Sequence, residues 1–320
     1  MVSSRIVPAH SMSAPRLVSI ILNWNNYEHT HAFAQSLRST ASDEHEVVIV
    51  DNNSPNKSTE RIQAEFPQYT YIYNDTNVGI AAANNIAIRY AEERRAAFVF
   101  LFNNDLEVIE ADFFKKMLAY MDAHPRVAMA APQLLFPDRR VQMSIKRIPT
   151  PSNQISELLR LPQRKIDLSR LKKEGGTIPS SYFVMASALL VRVDALRDIG
   201  LEDERFVLGY EDVDWVKRAH EAAREVHFVP RATILHHHGV SSKNAMSRMD
   251  FYYGEKLRFL MKHHAFLPIA LFRLAVSISS LARAFSGRHM RSHLYLAYRI
   301  WTYPWTSAAY RIPYTLPQTV

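Results

Sequence analysis

The sequence predicts an α/β fold: a mostly parallel sheet flanked by helices, followed by a C-terminal amphipathic helical extension. Three observations carry that expectation. From residue 17 onward, short apolar runs rich in β-branched residues alternate with stretches at helical spacing. The apolar runs end in amides or carboxylates, at Asn23, Asp51, Asn74 and Asn103, and a parallel sheet gathers its ligands at such carboxyl ends. Beyond Glu255 there is no acidic residue, while lysine and arginine continue among leucine, phenylalanine, tyrosine and tryptophan.

Composition narrows the function classes. With 320 residues, 48% of them hydrophobic and 22% charged, the chain has material for a substantial core and is neither disordered nor fibrous. The absence of cysteine excludes disulfides, thiolate metal sites and cysteine nucleophiles, and a cytoplasmic location is the default. A formal charge of +8 points to an anionic partner, for which nucleic acid, anionic lipid and nucleotide phosphates all qualify. Residues 1–16 carry no apolar segment long enough for a signal peptide and read as a flexible leader.

The elements follow in order. Residues 17–23 form a strand, 28–39 a helix with Phe33 and Leu37 on one face, and 46–51 a strand running into Asp51-Asn52-Asn53-Ser54-Pro55. A helix over 58–66 and a strand over 69–74 precede Asn77-Val78-Gly79 and an alanine-rich helix over 80–92. The fourth strand, residues 98–102, is continuously apolar, as a strand buried on both faces should be. Right-handed crossovers between parallel strands would then bring Asn25, Asp51, Asn77 and Asp105 to one edge. A helix over 112–124 and a strand over 127–135 come next. Residues 136–181, with several prolines and many basic residues, read as a mobile excursion over the site. An apolar run at 182–193 contains Ala186, Ser187 and Ala188, small enough for a ligand to approach the backbone. A helix from Val213 follows Glu211-Asp212, and two short strands, 226–230 and 232–235, lead to His236-His237-His238.

Each constellation has a plain reading beside its chemical one. Asn103 and Asp105 are two residues apart and, if extended, would present oxygens to one divalent cation; Asn103-Asn104-Asp105 is equally good turn chemistry. Glu211 and Asp212 suit a general base, and carboxylates are also favoured at a helix N-terminus by the dipole. His236 and His238 alternate along a strand and could hold metal, or be buried and hydrogen-bonded. No Gly-x-Gly-x-x-Gly or Walker loop is present, which disfavours dinucleotide and P-loop chemistry. No nucleic-acid motif accompanies the charge. The region over 265–285 is interrupted by Arg273 and Arg283, so a helix lying in a membrane interface is favoured over one that spans. A helical hairpin packed on the protein or on a second subunit is the alternative.

Taken together, Ile21-Leu22-Asn23-Trp24-Asn25-Asn26, Val50-Asp51-Asn52-Asn53-Ser54, Asn77-Val78-Gly79 with Asn84-Asn85, Phe102-Asn103-Asn104-Asp105, Tyr210-Glu211-Asp212-Val213-Asp214-Trp215, and Pro230 followed by His236 resemble, in order and spacing, the family 2 inverting glycosyltransferases, particularly their bacterial rhamnosyltransferase-like branch. The resemblance covers residues 16–262. It implies a GT-A fold, a nucleotide-diphospho-sugar donor and a divalent cation, Mg2+ or Mn2+. Position by position it implies that Asn25, Asp51, Asn77, Gly79, Asn85 and Asn104 form the donor-nucleotide site. Metal binding would fall to Asp105 and Asn103 with His236 and His238, an asparagine standing in place of the first carboxylate. Asp212 would be the catalytic base with Glu211 beside it, and Asp214 and Trp215 would meet the acceptor. The sequence departs from the family at Ile199-Gly200-Leu201-Glu202-Asp203-Glu204, where a Gly-Gly-Phe-Asp-Glu-like segment is usual.

The expectation is therefore a metal-dependent hexosyltransferase with a nucleotide-binding half over 17–135, a catalytic and acceptor half over 182–250, and a basic helical tail over 251–320. dTDP-rhamnose leads among donors, with UDP- and GDP-sugars behind it. The acceptor would be a saccharide or lipid-linked saccharide in bacterial surface polysaccharide synthesis, at the inner face of the cytoplasmic membrane. A homodimer is compatible with this reading. The competing classes are a non-catalytic nucleotide-sugar-binding protein at a membrane surface and a nucleic-acid binder.

Overall fold

The computed structural model describes residues 4–9, 14–38, 40, 44–162, 166–167, 169, 171, 176–237, 245–285 and 290–304. The chain forms two compact units. The first comprises Met1–Lys146, Ile166–Val207 and Glu211–Gly239; the second comprises Arg147–Lys165, Leu208–Tyr210 and Val240–Val320.

The first unit is built on one sheet. Its strands are β1 (Ser4–Val7), β2 (Leu17–Asn23), β3 (His45–Asp51), β4 (Thr70–Asn74), β5 (Phe98–Asn103), β6 (Leu106–Val108), β7 (Val127–Leu135), β10 (Ala188–Arg192) and β11 (Glu225–His236), in the spatial order β1-β4-β3-β2-β5-β10-β7-β11-β6. β4, β3, β2 and β5 are mutually parallel, and α1 (Tyr27–Ser36), α2 (Ser58–Glu65) and α3 (Ile80–Glu93) make their crossovers. Register aligns the strand ends: Asn23 lies opposite Asp51, and Leu22 opposite Asn103. The predicted polar edge follows from that alignment.

β5 is anchored by aromatic packing. Phe100 and Phe102 stack with ring centroids 4.1 Å apart, and Phe33 of α1 and Phe113 and Phe114 of α4 (Phe113–Ala123) pack around them. Beyond β5 the sheet becomes mixed, because β10 runs antiparallel to both β5 and β7. The two short strands expected over 226–235 are one strand, β11, with a register shift between Val229 and Thr233. β6 was not foreseen; it pairs with β11 so that His236 faces Leu106.

Two further expectations are corrected. The leader supplies β1, which pairs antiparallel with β4 from Ser4 opposite Asn74 to Val7 opposite Tyr71 and so covers an edge that would otherwise present open backbone groups. The segment 136–181 contributes β8 (Ile145–Arg147), α5 (Pro151–Leu158) and β9 (Tyr182–Val184) follows it. α5 starts at a reciprocal cap between Thr150 and Asn153 and belongs to the second unit, so this segment is partly built into the helical unit. There α5 packs against α9 (Phe266–Ala284), which also packs against α8 (Ala245–His263) and α10 (Met290–Thr302). Between these regions lie the one-turn helix α6 (Leu196–Ile199) and α7 (Glu211–Glu221).

Candidate active site

The donor side is assembled at the ends of β2 and β3. Asp51 is buried and both its oxygens are used: Oδ1 accepts from Thr59 Oγ1 at 2.6 Å and Oδ2 from the Ser54 N–H at 3.0 Å. Asn23 donates to Ser58 and Thr59 hydroxyls at 2.8 and 2.7 Å, which ties β2 to the start of α2. Asn25 has a left-handed backbone, φ 55°, and its N–H donates to Ser54 Oγ at 2.9 Å. An open pocket of about 410 Å³ lies here, lined by Asn25, Asn26, Tyr27, Glu28, Asn56 and Arg61.

Asn52 is the hub the sequence reading missed. Its Nδ2 donates to Asn77 Oδ1 at 2.8 Å and to the Gly79 carbonyl at 3.2 Å, while its Oδ1 accepts from Asn74 Nδ2 at 3.2 Å and Val78 N–H at 3.1 Å. Gly79 has φ 84°, and a Cβ there would meet the Val207 carbonyl oxygen at 2.9 Å, so only glycine admits this approach. Asn85 clamps the chain at residue 202 from both sides: it accepts from the Glu202 N–H at 3.0 Å and donates to the Glu202 carbonyl at 2.9 Å. Asn104 donates to Thr30 Oγ1 at 2.9 Å. In this structure the amides of Asn85 and Asn104 are thus engaged with protein partners.

The segment expected to bind metal is a turn. Asn104 and Asp105 connect β5 to β6, which unites the two readings of Asn103-Asn104-Asp105. Asn103 is exposed at the strand end. Asp105 Oδ1 lies 3.3 Å from His236 Nε2, and His236 Nδ1 lies 2.9 Å from Gln142 Oε1. Gln142 can only accept at that oxygen, so Nδ1 carries the proton toward it and Nε2 is left as a lone pair directed at Asp105 when the ring is neutral. A carboxylate and an imidazole lone pair facing each other fit a shared cation, with carboxylate suiting Mg2+ and Mn2+ and imidazole suiting the later metals. Burial would raise the Asp105 pKa, but a protonated His236 ring, whose Nε2–H then donates to Oδ1, outweighs it through that hydrogen bond and its charge and holds this carboxyl below its ordinary range. Among the described residues no cluster of three or more His, Cys, Asp or Glu side chains forms, so further ligands would come from the donor diphosphate and water. His238 lies outside the described residues.

The segment bearing Asp212 meets the end of β5 across one turn. The Asn103 N–H donates to the Ser187 carbonyl at 2.9 Å, and the adjacent Ala186 N–H donates to Asp212 Oδ2 at 3.1 Å. Asp212 Oδ1 accepts from the Val213 N–H at 2.7 Å. Asp212 is half-buried at the start of α7. Burial raises its pKa, opposed by those two N–H groups and by the charge of Lys146. Repulsion from the neighbouring Glu211 is not a leading cause of that rise. Glu211 is buried beside it.

Asp214 and Trp215, expected at the acceptor, are both fully buried. Asp214 pairs with Arg218 Nε at 2.8 Å, Arg218 donates onward to the carbonyls of Ile199 and Leu201, and Trp215 Nε1 donates to the Gly200 carbonyl at 2.8 Å. They position the 199–201 turn. The i,i+4 spacing of Asp214 and Arg218 was the available signal for that role. Glu202, the next residue, is fully enclosed: Oε2 accepts from Asn84 at 3.0 Å and Oε1 has no hydrogen-bond partner among the described residues. Burial pushes its pKa up to about 8.

A parallel first half continued by a mixed second half is the sheet of a GT-A fold, a fold class of glycosyltransferases. The glycosyl transferase family 2 model matches residues 19–192, and the chain belongs to that family. It is 27% identical over 232 residues, 70% of this chain and 73% of the relative, to the dTDP-rhamnosyl transferase RfbF of Shigella flexneri. It is 24% identical over 252 residues, 77% of this chain and 75% of the relative, to the low-salt glycan biosynthesis hexosyltransferase Agl10 of Haloferax volcanii. Among solved structures, the mannosyltransferase PcManGT of Pyrobaculum calidifontis, in complex with GDP-Man and Mn2+, superposes with a TM-score of 0.53 at 15% identity, over 96% of this chain and 79% of that one.

Proposed function

We propose that this chain moves a sugar, with inversion, from a nucleotide-diphospho-sugar to a saccharide acceptor, with Asp212 as general base. A sugar hydroxyl is a poor nucleophile, so a carboxylate must take its proton as it attacks the anomeric carbon from the face opposite the nucleotide. The observation that carries this reading is the turn at Ala186-Ser187, whose two neighbouring backbone groups bind Asp212 on one side and the end of β5 on the other. Each Asp212 oxygen takes one N–H and keeps lone pairs for the acceptor hydroxyl. Its raised pKa makes it a stronger base than an exposed aspartate. Asp105 and His236, with Asn103 beside them, would hold a divalent cation that neutralises charge on the departing diphosphate. Asp51, Asn25 and the Asn52–Asn77–Gly79 network form the nucleotide side.

dTDP-rhamnose is the favoured donor, supported by the name of the Shigella relative; UDP- and GDP-sugars are its competitors. We further assign the chain to the cytoplasmic face of a membrane, acting on a lipid-linked acceptor in surface polysaccharide synthesis. The test is thermal stabilisation by dTDP, UDP and GDP, each with and without Mn2+. At about 100-fold excess over the dissociation constant, a bound nucleotide contributes about 2.7 kcal/mol. A metal-dependent shift with one nucleotide identifies the donor class. In Gln142→Leu, which leaves His236 unoriented, the Mn2+ affinity should fall about 10- to 100-fold. No shift with any nucleotide would turn the reading toward a non-catalytic protein.

A further inference from the structure

Helix α9 is apolar on both faces. Leu267, Leu271, Leu274, Ile278, Leu281 and Phe285 recur at intervals of four and three residues along it and just past its end, and all are exposed, Ile278 at 60% and Phe285 at 90%. The inward face buries Ile269, Phe272, Val276 and Ala284 together with the polar Arg273, Ser277 and Ser280. A helix on the surface of a globular protein keeps its outer face polar.

The inward polar groups are accounted for by α10. Arg273 donates to the carbonyls of Ile300, Tyr303 and Pro304 at 2.9, 2.8 and 2.6 Å, closing the C-terminus of that helix. Ser277 donates to the Ala297 carbonyl at 3.1 Å and accepts from Trp301 Nε1 at 2.7 Å. These bonds fix the rotation of α9, so its leucine stripe is turned outward by hydrogen bonding rather than by chance. α10 also leaves Met290, Leu294 and Tyr298 exposed, with Arg291 exposed among them.

We propose that the outward stripe of α9 is a bilayer-insertion surface, lying in the plane of an anionic lipid interface. Charge decides between lipid and a second copy of the chain. Lys256, Arg258 and Arg273 are buried and cannot meet headgroups, which reduces the charge attributed to this tail from sequence. Lys262, Arg283, Arg291 and Arg299 remain at least partly exposed, and no Asp or Glu follows Glu255 to offset them. Two copies joined through this face would bring like charges together, whereas anionic headgroups oppose them, at about 1 kcal/mol per cation. α9 has the length and apolarity to cross a membrane, with 33% of its most apolar 18-residue window buried. Its inward face is committed to α10, so shallow insertion of one side satisfies both faces. Exposed Tyr298 and partly exposed Trp301 are the residue types that settle at a membrane–water boundary.

This inference deepens the membrane-surface reading above and is independent of the donor chemistry. The experiment is flotation of the full chain with vesicles of phosphatidylcholine alone or mixed with phosphatidylglycerol, alongside light scattering in buffer. Binding to the mixed vesicles, weakened by salt and lower on phosphatidylcholine alone, is expected. The double variant Leu274→Ser with Ile278→Ser should lose about tenfold or more of that binding while keeping its melting temperature and its nucleotide–Mn2+ shift. Failure of the full chain to float with either vesicle, or undiminished binding by the double variant, would overturn the proposal. So would a wild-type dimer that the double variant dissolves, since a second copy would then cover the stripe. A lost nucleotide shift with intact flotation would strike the donor reading alone.

Discussion

The polar groups at the ends of β2 and β3 and those around the start of α7 answer burial in opposite ways. On the donor side every oxygen of Asp51 is bonded, and Asn52 uses both ends of its amide on four partners. Around the start of α7 Asp212 is shifted toward its protonated form, and Glu202, its pKa pushed up to about 8, has one oxygen without a hydrogen-bond partner among the described residues. A saturated network is preorganised: it binds without paying again to order itself. A carboxylate with spare acceptor capacity and a raised pKa is less comfortable, and that discomfort is what a base needs. Stability and reactivity are thus divided between the two halves of one sheet edge.

The comparison is broken most severely at Asp212. Asp212→Asn keeps the shape but cannot take a proton, and its amide oxygen can accept only one of the two N–H groups that Asp212 holds. The turnover number should fall by about 10²- to 10⁴-fold, while stabilisation by nucleoside diphosphate and Mn2+ is unchanged. Loss of donor binding in that variant would make Asp212 part of the donor site instead. In the wild type, the acidic limb of the rate against pH should lie above the ordinary aspartate value of about 3.9, because the raised pKa keeps the base protonated, and inactive, to higher pH.

Asn52→Ala tests the donor side. It removes the Asn52 acceptor from the Val78 N–H and Asn74 Nδ2 at once and leaves Asn77 Oδ1 only its bond from the Gly79 N–H; each buried orphan costs about 1–3 kcal/mol. A lower urea midpoint together with weaker nucleotide binding is expected. Asn52→Asp keeps the acceptor for Val78 and Asn74 but sets a carboxylate oxygen against Asn77 Oδ1 and the Gly79 carbonyl, so it should be at least as destabilising as the alanine variant. If Asn52→Ala destabilises the protein without affecting nucleotide affinity, the network is structural and the preorganisation argument fails.

What the sequence showed and what it hid divide along contact distance. Strand ends were readable because β5 is buried on both faces and its apolar run stops abruptly at Asn103. The partners were not. His236 is oriented by Gln142 from 94 residues away, and Glu202 is clamped by Asn85 from 117; no local pattern encodes such pairs. β1 was missed because four residues, Ser-Arg-Ile-Val, carry little signal until β4 offers an edge. The resemblance assigned Asp214 and Trp215 to the acceptor; in the structure both are buried and bonded to Arg218 and to the 199–201 backbone, contacts that no local pattern beyond the i,i+4 pair encodes. Reading α9 as a basic amphipathic helix placed its charge correctly in sequence and wrongly in space, since Arg273 points inward.

Glu202 gives the most pH-dependent effect and the finest discrimination. Its pKa is raised on folding, so the folded state holds the proton more tightly than the unfolded chain does. The associated stability is complete below the ordinary glutamate pKa and is lost as pH climbs toward about 8. Each unit of the shift corresponds to about 1.4 kcal/mol. Glu202→Gln retains an acceptor for Asn84 and has no proton to lose. Against wild type it should be near neutral at pH 5 and progressively more stable through pH 7 to 8.5, as read from urea midpoints. A difference that does not change with pH would mean that Glu202 is ionised in the folded protein, its charge carried by Arg218. The catalytic side would then be as fully compensated as the donor side, and the contrast between them would rest on Asp212 alone.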